Sequence, residues 1–547
     1  MTDVVLSVTG TARRNPLAAC IASLFALSTP AAIAGVNLPV TSCDDSGPNT
    51  LREVISNAAS GDTVDLSGLT GMAACANSRI SLSSGEIPVK QDDLTIKGPG
   101  SANLAIDGSN MPGGPGDYRL FNHSGGGTLT FRDVRLTSGH VYHDSSTPAL
   151  GGCVYSAASL ELYDTEVISC STSSTDGAAS GGGLLAYGTV KLHGSTMYKN
   201  EAASKNSTAQ GGGIWAKSDV LLDHSRVEVN LADTDGTFAN GGGVFANGSL
   251  TLSYSTLSSN VAKSTAKGAT GGGADVLGEF DCAYSTIDGN SALGDYMSTY
   301  AGGVFASTDA RLKRCTVSGN HSDGSAGGII ASSGAVNANS NTLDIRSSTI
   351  SGNSAGFLVG GLFSDAATTR LYNTTIAFNT AAVGHVGAPT YYFAPGVALS
   401  AQPNAIVVTL QSTLISNNTY GLTEVDLSAA TTLLHPITFN VGPANNFVRS
   451  YLASDLPADT LTKSCPLLGP LRDNGGPTWT HALLSGSVAI DTGNNVLGED
   501  QDQRGLATDP QPFAYPREST VLADIGAYEV NQDDIAFNSG FEGCDDL

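Results

Sequence analysis

Three aspartates and two basic residues in the middle of the chain are of the types that cleave acidic polysaccharides. Asp275, Asp281 and Asp288 are followed further along by Lys313 and Arg314. Clustered carboxylates can bind calcium, and a nearby base can remove the proton whose loss breaks a uronate chain. We interpret this group as solvated surface charge, because a fold that could host such chemistry does not by itself assign it.

Histidines and cysteines offer little for a metal site. His193, His224 and His321 stand at unlike positions relative to the surrounding sequence, and no paired Cys-x-x-Cys spacing occurs. We therefore expect the histidines to lie on the surface, and we predict no metal, no cofactor and no catalytic residue.

A column of apolar residues is better suited to binding than to catalysis. Its members each follow a glycine cluster by a short distance: Tyr155, Leu185, Trp215, Phe245, Asp275, Phe305, Ile330 and Phe363. The residues just before them form a second, mostly aliphatic column: Val154, Leu184, Ile214, Val244, Ala274, Val304, Ile329 and Leu362. Strand alternation sends one column inward and the other outward, and the aliphatic column suits the interior.

The outer column is therefore our predicted ligand site, in which exposed aromatic rings stack on sugar rings. The predicted ligand-binding residues are Tyr155, Trp215, Phe245, Phe305 and Phe363. An alternative stays open, in which variable segments fold over the column and bury it: 201–210, 231–240, 261–270 and 291–300.

A repeat positions these columns. Glycine triplets begin at Gly181, Gly211, Gly241 and Gly271, so the step is 30 residues (211 − 181). Each unit ends on an asparagine, and later, less regular units do the same: Asn200, Asn230, Asn260, Asn290, Asn320, Asn353, Asn379 and Asn418. His140 and Cys170 occupy the same place in earlier units. A fixed period in this range is typical of a solenoid.

Within each unit the apolar residues alternate, as in Val220 and Leu222, which indicates short strands with one buried face. One unit cannot bury that face, but stacked units can, and stacked asparagines can bond along the axis. The sequence thus predicts an all-β fold, a single-stranded right-handed parallel β-helix with a helical cap at its N-terminal end and a capping region at its C-terminal end.

The first residues are typical of export. Arg13-Arg14 precedes an apolar run from Leu17 to Leu27, and cleavage after Ala34 would follow a small-residue site. Twin-arginine export and a lipoprotein box ending at Cys20 are alternatives that fit less well, because the arginine context differs and most of the apolar run follows Cys20. We predict a secreted or cell-surface protein without a transmembrane span.

Charge and cysteine content agree with that location. Lys and Arg number 26 against 50 Asp and Glu, a net charge of −24, which disfavours nucleic acid and leaves neutral or cation-bridged glycans as possible partners. Of the nine cysteines, eight would follow the signal peptide, so disulfides are expected. Cys43 and Cys75 are the first predicted pair. A bridge between Cys282 and Cys315 is doubtful, because they lie three residues out of register with the repeat (315 − 282 = 33).

The chain divides into five predicted regions: a signal peptide at 1–34, a cap and first rungs at 35–105, β-helix repeats at 106–440, a C-terminal capping region at 441–530 and an acidic tail at 531–547. In the cap, residues 48–66 predict a helix through Leu51, Val54, Ile55 and Ala58 that ends at Gly61. We expect 465–529 to fold over the far end of the solenoid.

The C-terminal region resembles a known family. The segments LGPLRDNGGPTWTHALLSGSVAIDTG (468–493), DQRG (502–505) and DIGAYE (524–529) are similar to the end of bacterial choice-of-anchor Q domain proteins. Val488 departs from the family pattern, which has proline there. The resemblance implies an exported β-helix protein with a surface-anchoring tail and assigns no activity, while the repeats resemble pectin-lyase-like β-helices in fold alone.

Enzymes of that wider fold carry motifs that this chain lacks. The Gly-His-Gly and Arg-Ile-Lys segments of polygalacturonases are absent from the sequence, and its Asp-Asp pairs lie in the caps or tail. We therefore expect a non-enzymatic adhesion or carbohydrate-binding protein. The alternatives are a polysaccharide lyase or glycoside hydrolase, and a structural surface stalk.

Overall fold

The structure is a computed structural model that describes residues 35–70, 75–332, 341–382, 394–401, 405–430, 435–440, 445–452, 456–507, 513–517 and 523–531. The predicted signal peptide lies outside these ranges, as does the acidic tail beyond Asn531.

The described chain is a parallel β-helix, which confirms the predicted fold class. A regular unit passes through sheets 1, 2, 3 and 4 in turn, and five units add a short strand of sheet 5 before the next glycines. Successive units pair in parallel at the step of the repeat, so that Leu192 pairs with Leu222, and Leu222 with Leu252.

Sheet 1 follows the glycines and has the strands Ile87–Val89, Phe121–His123, Val154–Ser156, Leu184–Ala186, Ile214–Ala216, Val244–Ala246, Ala274–Val276, Val304–Ala306, Ile329–Ala331, Leu362–Ser364, Val397–Ser400, Leu427–Ala430 and Tyr451–Leu452. Sheet 2 has Asn37–Pro39, Thr63–Asp65, Leu94–Lys97, Thr128–Arg132, Ser159–Tyr163, Val190–His193, Val220–Asp223, Leu250–Ser253, Phe280–Ala283, Ala310–Lys313, Thr342–Arg346, Thr368–Tyr372, Ile406–Gln411 and Ile437–Phe439. Sheet 3 has Arg79–Ser81, Ala105–Asp107, Arg135–Thr137, Glu166–Ile168, Thr196–Tyr198, Arg226–Glu228, Thr256–Ser258, Thr286–Asp288, Thr316–Ser318, Thr349–Ser351, Thr375–Ala377, Leu414–Ser416 and Phe447–Val448.

Sheet 4 has Gly116–Tyr118, His140–His143, Ser171–Ser174, Glu201–Ser204, Leu231–Thr234, Val261–Ser264, Ser291–Leu293, His321–Ser322, Ser354–Ala355, Thr380–Ala381, Thr419–Tyr420 and Thr423–Glu424, of which the first and last pair antiparallel. Sheet 5 has Ala149–Leu150, Ala179–Ser180, Ala209–Gln210, Ala239–Asn240 and Ala269–Thr270. Two antiparallel hairpins follow the coils, formed by Leu468–Arg472 with Thr480–Leu483 and by Gln501–Ala507 with Phe513–Pro516.

The core is one continuous apolar column inside the coils. It runs from Val40 to Val448 and includes the alternating residues that the sequence marks as inward-facing, such as Val220, Leu222 and Val227. Because every strand contributes its inner face to the same column, each unit depends on its neighbours for burial.

The asparagine column is an internal hydrogen-bond ladder, as the sequence predicts. Each side-chain amide donates to the Oδ1 of the next asparagine, at 2.9 Å between Asn230 and Asn260 and between Asn260 and Asn290. The ladder ends where Asn418 donates to Asp426 at 2.8 Å. A second ladder, which the sequence analysis missed, joins backbone N–H groups to serine hydroxyls one coil on, as from Ser195 to Ser225.

The helical cap is present but shorter than expected. The helix spans Leu51–Asn57, capped by Thr50, and ends before Gly61 because the chain turns extended at Ala58. Leu51 and Ile55 are buried in the core. Two short 3-10 turns follow, at Ser67–Leu69 and Ala76–Ser78.

Two disulfides join residues whose positions in the sequence suit a bond. Cys43 and Cys75 are linked, as predicted, with their Cα atoms 5.2 Å apart. Cys153 and Cys170 form a bond that the sequence analysis did not assign. In the next unit a Cβ added at Gly183 would lie 3.1 Å from Cγ of Asn200, so the third glycine and the closing asparagine are neighbours. The preceding unit has Cys153 and Cys170 at these two positions. The repeat therefore contained the information that the two cysteines are neighbours.

The doubt about Cys282 and Cys315 was wrong. They form a disulfide inside the coils, with Cα atoms 6.4 Å apart, within the limit for such bonds. Cys282 pairs in register with Leu312, and the chain then turns at Arg314, whose φ is 58°. This turn brings Cys315 back into the interior beside Cys282, so the offset of three residues is taken up by a corner between sheets 2 and 3.

The described part of the C-terminal region packs against the side of the solenoid. Leu468, Leu483, Ala489 and Ile525 form an apolar cluster with outward-facing residues of sheet 3: Ala377, Leu414 and Phe447. Earlier coils present charged residues such as Arg226 and Glu228 at the same face. This packing follows from the apolar outer face of the last coils, and the C-terminal capping region stays a prediction.

The motif residues of this region form a buried ionic network. Arg504 and Asp502, both fully buried, make an ion pair at 2.7 Å, and Arg504 lies over the rings of Tyr515 and Tyr528. Glu529 donates its backbone N–H to Asp502. These contacts give the DQRG and DIGAYE segments a structural role, because each buried charge has its partners within the region.

Candidate functional site

The aliphatic and aromatic columns of sheet 1 face opposite ways, as strand alternation requires. The aliphatic column lies wholly within the core, whereas the aromatic column lies outside it. Tyr155, Trp215, Phe305 and Phe363 are half-buried, and Phe245 is buried with 5% of its surface exposed. The column is therefore an outer feature of the coil that is largely covered.

Packing accounts for the second half of the column. Phe305 and Phe363 lie against a small apolar cluster. It combines four residues that precede strands of sheet 1 with two outward-facing residues inside such strands: Ala301, Ala326, Val359 and Ala394, then Ile330 and Ala398. In the first half, the variable segments that the open alternative placed over the column are strands of sheets 4 and 5 with their own alanine core.

A contiguous group of rings remains at the beginning of the column. The aromatic strip, as we name it, consists of Tyr155, Tyr187, Trp215 and Phe245. Its successive ring centroids are 6.1, 5.8 and 6.3 Å apart. Tyr187 is the most open member, with 43% of its surface exposed. Strand alternation does not mark this residue, because it lies in the turn after the strand.

Polar groups border the aromatic strip. The Arg119 guanidinium is 5.5 Å from the Tyr155 ring, and Lys217 Nζ is 5.5 Å from the Tyr187 ring. Nε1 of Trp215 is buried and has no hydrogen-bond partner in the described part of the chain, so the donors that a sugar can reach are the Arg119 and Lys217 side chains. Ring faces with donors at their edge suit the apolar face and hydroxyl rim of a sugar.

Asp275 interrupts the column with a buried carboxyl. It pairs in register with Phe245 on one side and Phe305 on the other, and only 3% of its surface is exposed. Burial raises the pKa of Asp275 to about 7, and a hydrogen bond from Asn240 lowers it by less. The expectation that Asp275 belongs to a solvated surface cluster was therefore wrong.

Replacing Asp275 with asparagine is expected to change how stability depends on pH. The pKa of Asp275 is about 7 in the native state, against an ordinary value of 3.8. Between these two pH values, the native state therefore binds the proton more tightly than the unfolded state does. The free energy of unfolding should then fall as pH rises from about 4 to about 7, by a few kcal/mol in all. Denaturant unfolding of the wild type and Asp275→Asn at both ends of this window measures the difference.

The variant should gain stability over the wild type at the alkaline end and little at the acidic end. Asp281→Asn, at an exposed aspartate one strand later, is the matched control: it keeps Asp275, so it should retain the pH dependence of the wild type. A gain that is the same at both ends would contradict the assignment of the slope to Asp275.

The other residues of the acidic and basic group are separated. Asp281 lies on sheet 2 beside Arg311, whereas Asp288 lies on sheet 3 and accepts from Ser318. Arg314 is buried and donates to the backbone of Asp502. Asp281 and Lys313 line one groove, whereas Asp275, Asp288 and Arg314 lie elsewhere, so the five residues do not form a single site.

A groove of about 600 Å³ does lie on the outer face of sheet 2. The charged side chains of its lining are all in ion pairs: Arg311 bridges Glu279, Asp281 and Asp309, Arg346 bridges Asp344, and Lys313 bridges Glu499. The pKa of Arg311 is raised, mainly by its hydrogen bond to Glu279. Burial lowers this pKa by less, and the contact with Asp281 raises it further. Arg311 is thus held protonated, which makes it unsuited to act as the base of a lyase.

Two of the predicted surface histidines meet at one carboxylate. His193 and His224 lie 3.3 and 2.8 Å from Asp223, and although burial opposes them, these contacts lower the pKa of Asp223. Within the described ranges no three His, Cys, Asp or Glu side chains are placed to hold a metal ion.

Comparisons with protein-family models, with curated proteins and with solved structures find no match to this chain. The resemblance of the C-terminal region to the choice-of-anchor Q domain stays a prediction.

Proposed function

We propose that this chain is an exported β-helix protein that binds carbohydrate without cleaving it and acts in adhesion at a cell surface. The observation that carries the proposal is the aromatic strip, in which four rings from neighbouring coils form one outward-facing group with Tyr187 open to solvent. Stacked coils repeat at about 4.8 Å, so such a strip follows the solenoid axis and suits an extended chain of sugars.

The net charge of the protein limits the class of glycan that it can bind. With 26 basic and 50 acidic residues, the protein should repel acidic polysaccharides unless cations bridge them. Arg119, the guanidinium beside the strip, is already paired with Glu86 and Asp117. The proposed ligand is therefore a neutral glycan.

The three disulfides that join described cysteines support the proposed location, because such bonds persist in oxidising compartments. In the described part of the chain, no helix is long and apolar enough to cross a membrane. The proposed export through a signal peptide at residues 1–34 and the proposed choice-of-anchor Q membership agree with these features.

A glycan array probed with the purified chain tests the proposal. Binding to neutral glycans without release of reducing ends or unsaturated uronates is the expected result. Product release from a bound polysaccharide would instead establish a lyase or hydrolase. Absence of both binding and turnover would favour a structural stalk.

Replacing Tyr187 with alanine is expected to weaken binding to an array-positive glycan by about three- to tenfold, the effect of one aromatic contact. Its free energy of unfolding should change by less than about 1 kcal/mol, because the ring is exposed. Isothermal titration and thermal unfolding give the two values.

Tyr254→Ala is the matched control, since Tyr254 is equally exposed and stacked but lies on a different corner of the coil, next to Tyr284. It should leave affinity unchanged. Equal loss of affinity in both variants would place the ligand elsewhere than on the aromatic strip.

A further inference from the structure

The second tryptophan of the chain is exposed on a rigid support. Trp479 immediately precedes the return strand of the first C-terminal hairpin, and 55% of its surface is exposed, whereas Thr478 and Thr480 beside it are buried. Its carbonyl accepts hydrogen bonds from Thr316 Oγ1 at 2.6 Å and from Gln503 Nε2 at 3.1 Å. The backbone is thus fixed while the indole ring projects from the surface.

The ring borders a groove of about 410 Å³ between the hairpin and the solenoid. Its other lining side chains are Asp288, Ser318, Ser351, Phe378, Leu471 and His481. This volume is within the range of small-ligand sites.

Glycines in the solenoid open this groove. The residue that follows each strand of sheet 3 has a positive φ in successive coils. In earlier coils this position is occupied by residues with long or branched side chains, such as Lys199 and Val229. Beside the hairpin the same corner is occupied by Gly319 and Gly352, both of which line the groove. Side chains at these two positions would fill the space under Trp479.

The groove holds one carboxylate, and neither Lys nor Arg is among its lining residues. Ser318 donates to Oδ1 of Asp288 at 2.6 Å, and the described residues supply no partner for Oδ2. His481 donates from Nδ1 to the carbonyl of Gly469 and accepts from Ser351 at Nε2. Burial lowers the pKa of His481 to about 4, so that it is neutral.

The Ser351–His481 pair does not make this groove a hydrolase site. The serine is buried, and the two nearest glycine N–H groups are already engaged: Gly319 donates to the carbonyl of Ser351 and Gly352 to that of Ala377. No backbone donor of these glycines is left for an oxyanion. The pair anchors the hairpin to the solenoid.

We propose that the groove beneath Trp479 binds an uncharged hexopyranose ring of a polysaccharide, with the indole stacked on its apolar face and Asp288 accepting from its hydroxyls. An acidic sugar is disfavoured by Asp288 and by the absence of a cation in the lining. A quaternary ammonium group would need more than the one open ring that this groove offers. This site lies apart from the aromatic strip and does not depend on the proposed function there.

The two tryptophans allow the sites to be observed separately, because Trp215 and Trp479 are the only ones in the chain. In the full chain carrying Trp215→Phe, emission reports on Trp479 alone. Titration with cellohexaose, mannohexaose and maltohexaose at up to millimolar concentration should produce a saturable change with at least one of them. In the full chain carrying Trp479→Phe, the emission of Trp215 shows whether the same sugar binds at the aromatic strip.

Two further variants test the roles within the groove by calorimetry in the otherwise wild-type chain. Trp479→Ala should abolish binding at this site without lowering the melting temperature, and Asp288→Asn should weaken it roughly tenfold, as expected for loss of a charged acceptor. Tyr187→Ala should leave the emission change of Trp479 intact, so failure of one site is distinguishable from failure of the other.

Three outcomes overturn the proposal. One is that none of the neutral hexasaccharides changes Trp479 emission at millimolar concentration. A second is that hexagalacturonate or choline binds in their place. The third is that Trp479→Ala or Asp288→Asn leaves the affinity of a bound sugar unchanged.

Discussion

Replacing Leu222 with aspartate is expected to prevent the chain from folding. Leu222 is fully buried and stacks between Leu192 and Leu252 in the inner row of sheet 2. An aspartate there would be an unpaired charge in an aliphatic column, at a cost of roughly 5 kcal/mol or more, which is comparable to the whole stability of many domains. Far-ultraviolet circular dichroism and limited proteolysis of the purified variant would reveal the loss.

The matched control is Leu221→Asp, the same substitution one residue earlier in the same strand. Leu221 faces outward and pairs with Lys191 and Thr251, so the new carboxylate would lie beside a cation in solvent. We expect a change of less than about 1 kcal/mol. Equal sensitivity at both positions would mean that the inner and outer faces of sheet 2 are interchanged.

Replacing Asn260 with alanine is expected to cost about 4 kcal/mol of stability, since several buried groups lose a partner at about 1–3 kcal/mol each. The side chain of Asn260 accepts from the backbone and side-chain amides of Asn230 and donates to Asn290 Oδ1 and to the carbonyl of Val227. Denaturant unfolding monitored by circular dichroism measures the cost.

Asn247→Ala, at an exposed position in the same coil, is the control and should change stability by less than about 0.5 kcal/mol. The Asn260→Asp variant separates the two functions of the amide, because it keeps the acceptor and loses the donor. If Asn260→Ala is no more harmful than Asn247→Ala, the ladder does not stabilise the fold.

Many features of this protein could be predicted from local pattern. Alternation of residues such as Val220 and Leu222 defines the inner face, because a strand turns each successive side chain to the opposite side. The asparagine column follows from the repeat alone, since parallel stacking at a fixed step places equivalent residues one above another. The third glycine of each unit has its reason in the same stacking: a Cβ at Gly243 would come within 2.9 Å of Asn260.

Exposure could not be predicted in this way. The alternation correctly placed Trp215 and Phe363 outside the core, but whether an outer ring meets solvent depends on residues that arrive from other segments. Val359 and Ala394 cover Phe363, and no spacing around Phe363 indicates that they do. The exposure of Tyr187 could not be predicted either, because Tyr187 lies in a turn and turn residues do not follow the strand alternation.

The sequence by itself determined the coil, its inner face and its asparagine ladder, because these depend on neighbours one repeat away. Tertiary structure decided the Cys282–Cys315 bond, the burial of Asp275 and the docking of the C-terminal hairpin against sheet 3. The groove under Trp479 belongs to this second group, since it joins Asp288 to residues that follow the last coil. Such contacts depend on how corners and flanking segments pack in space, and neither periodicity nor composition records that.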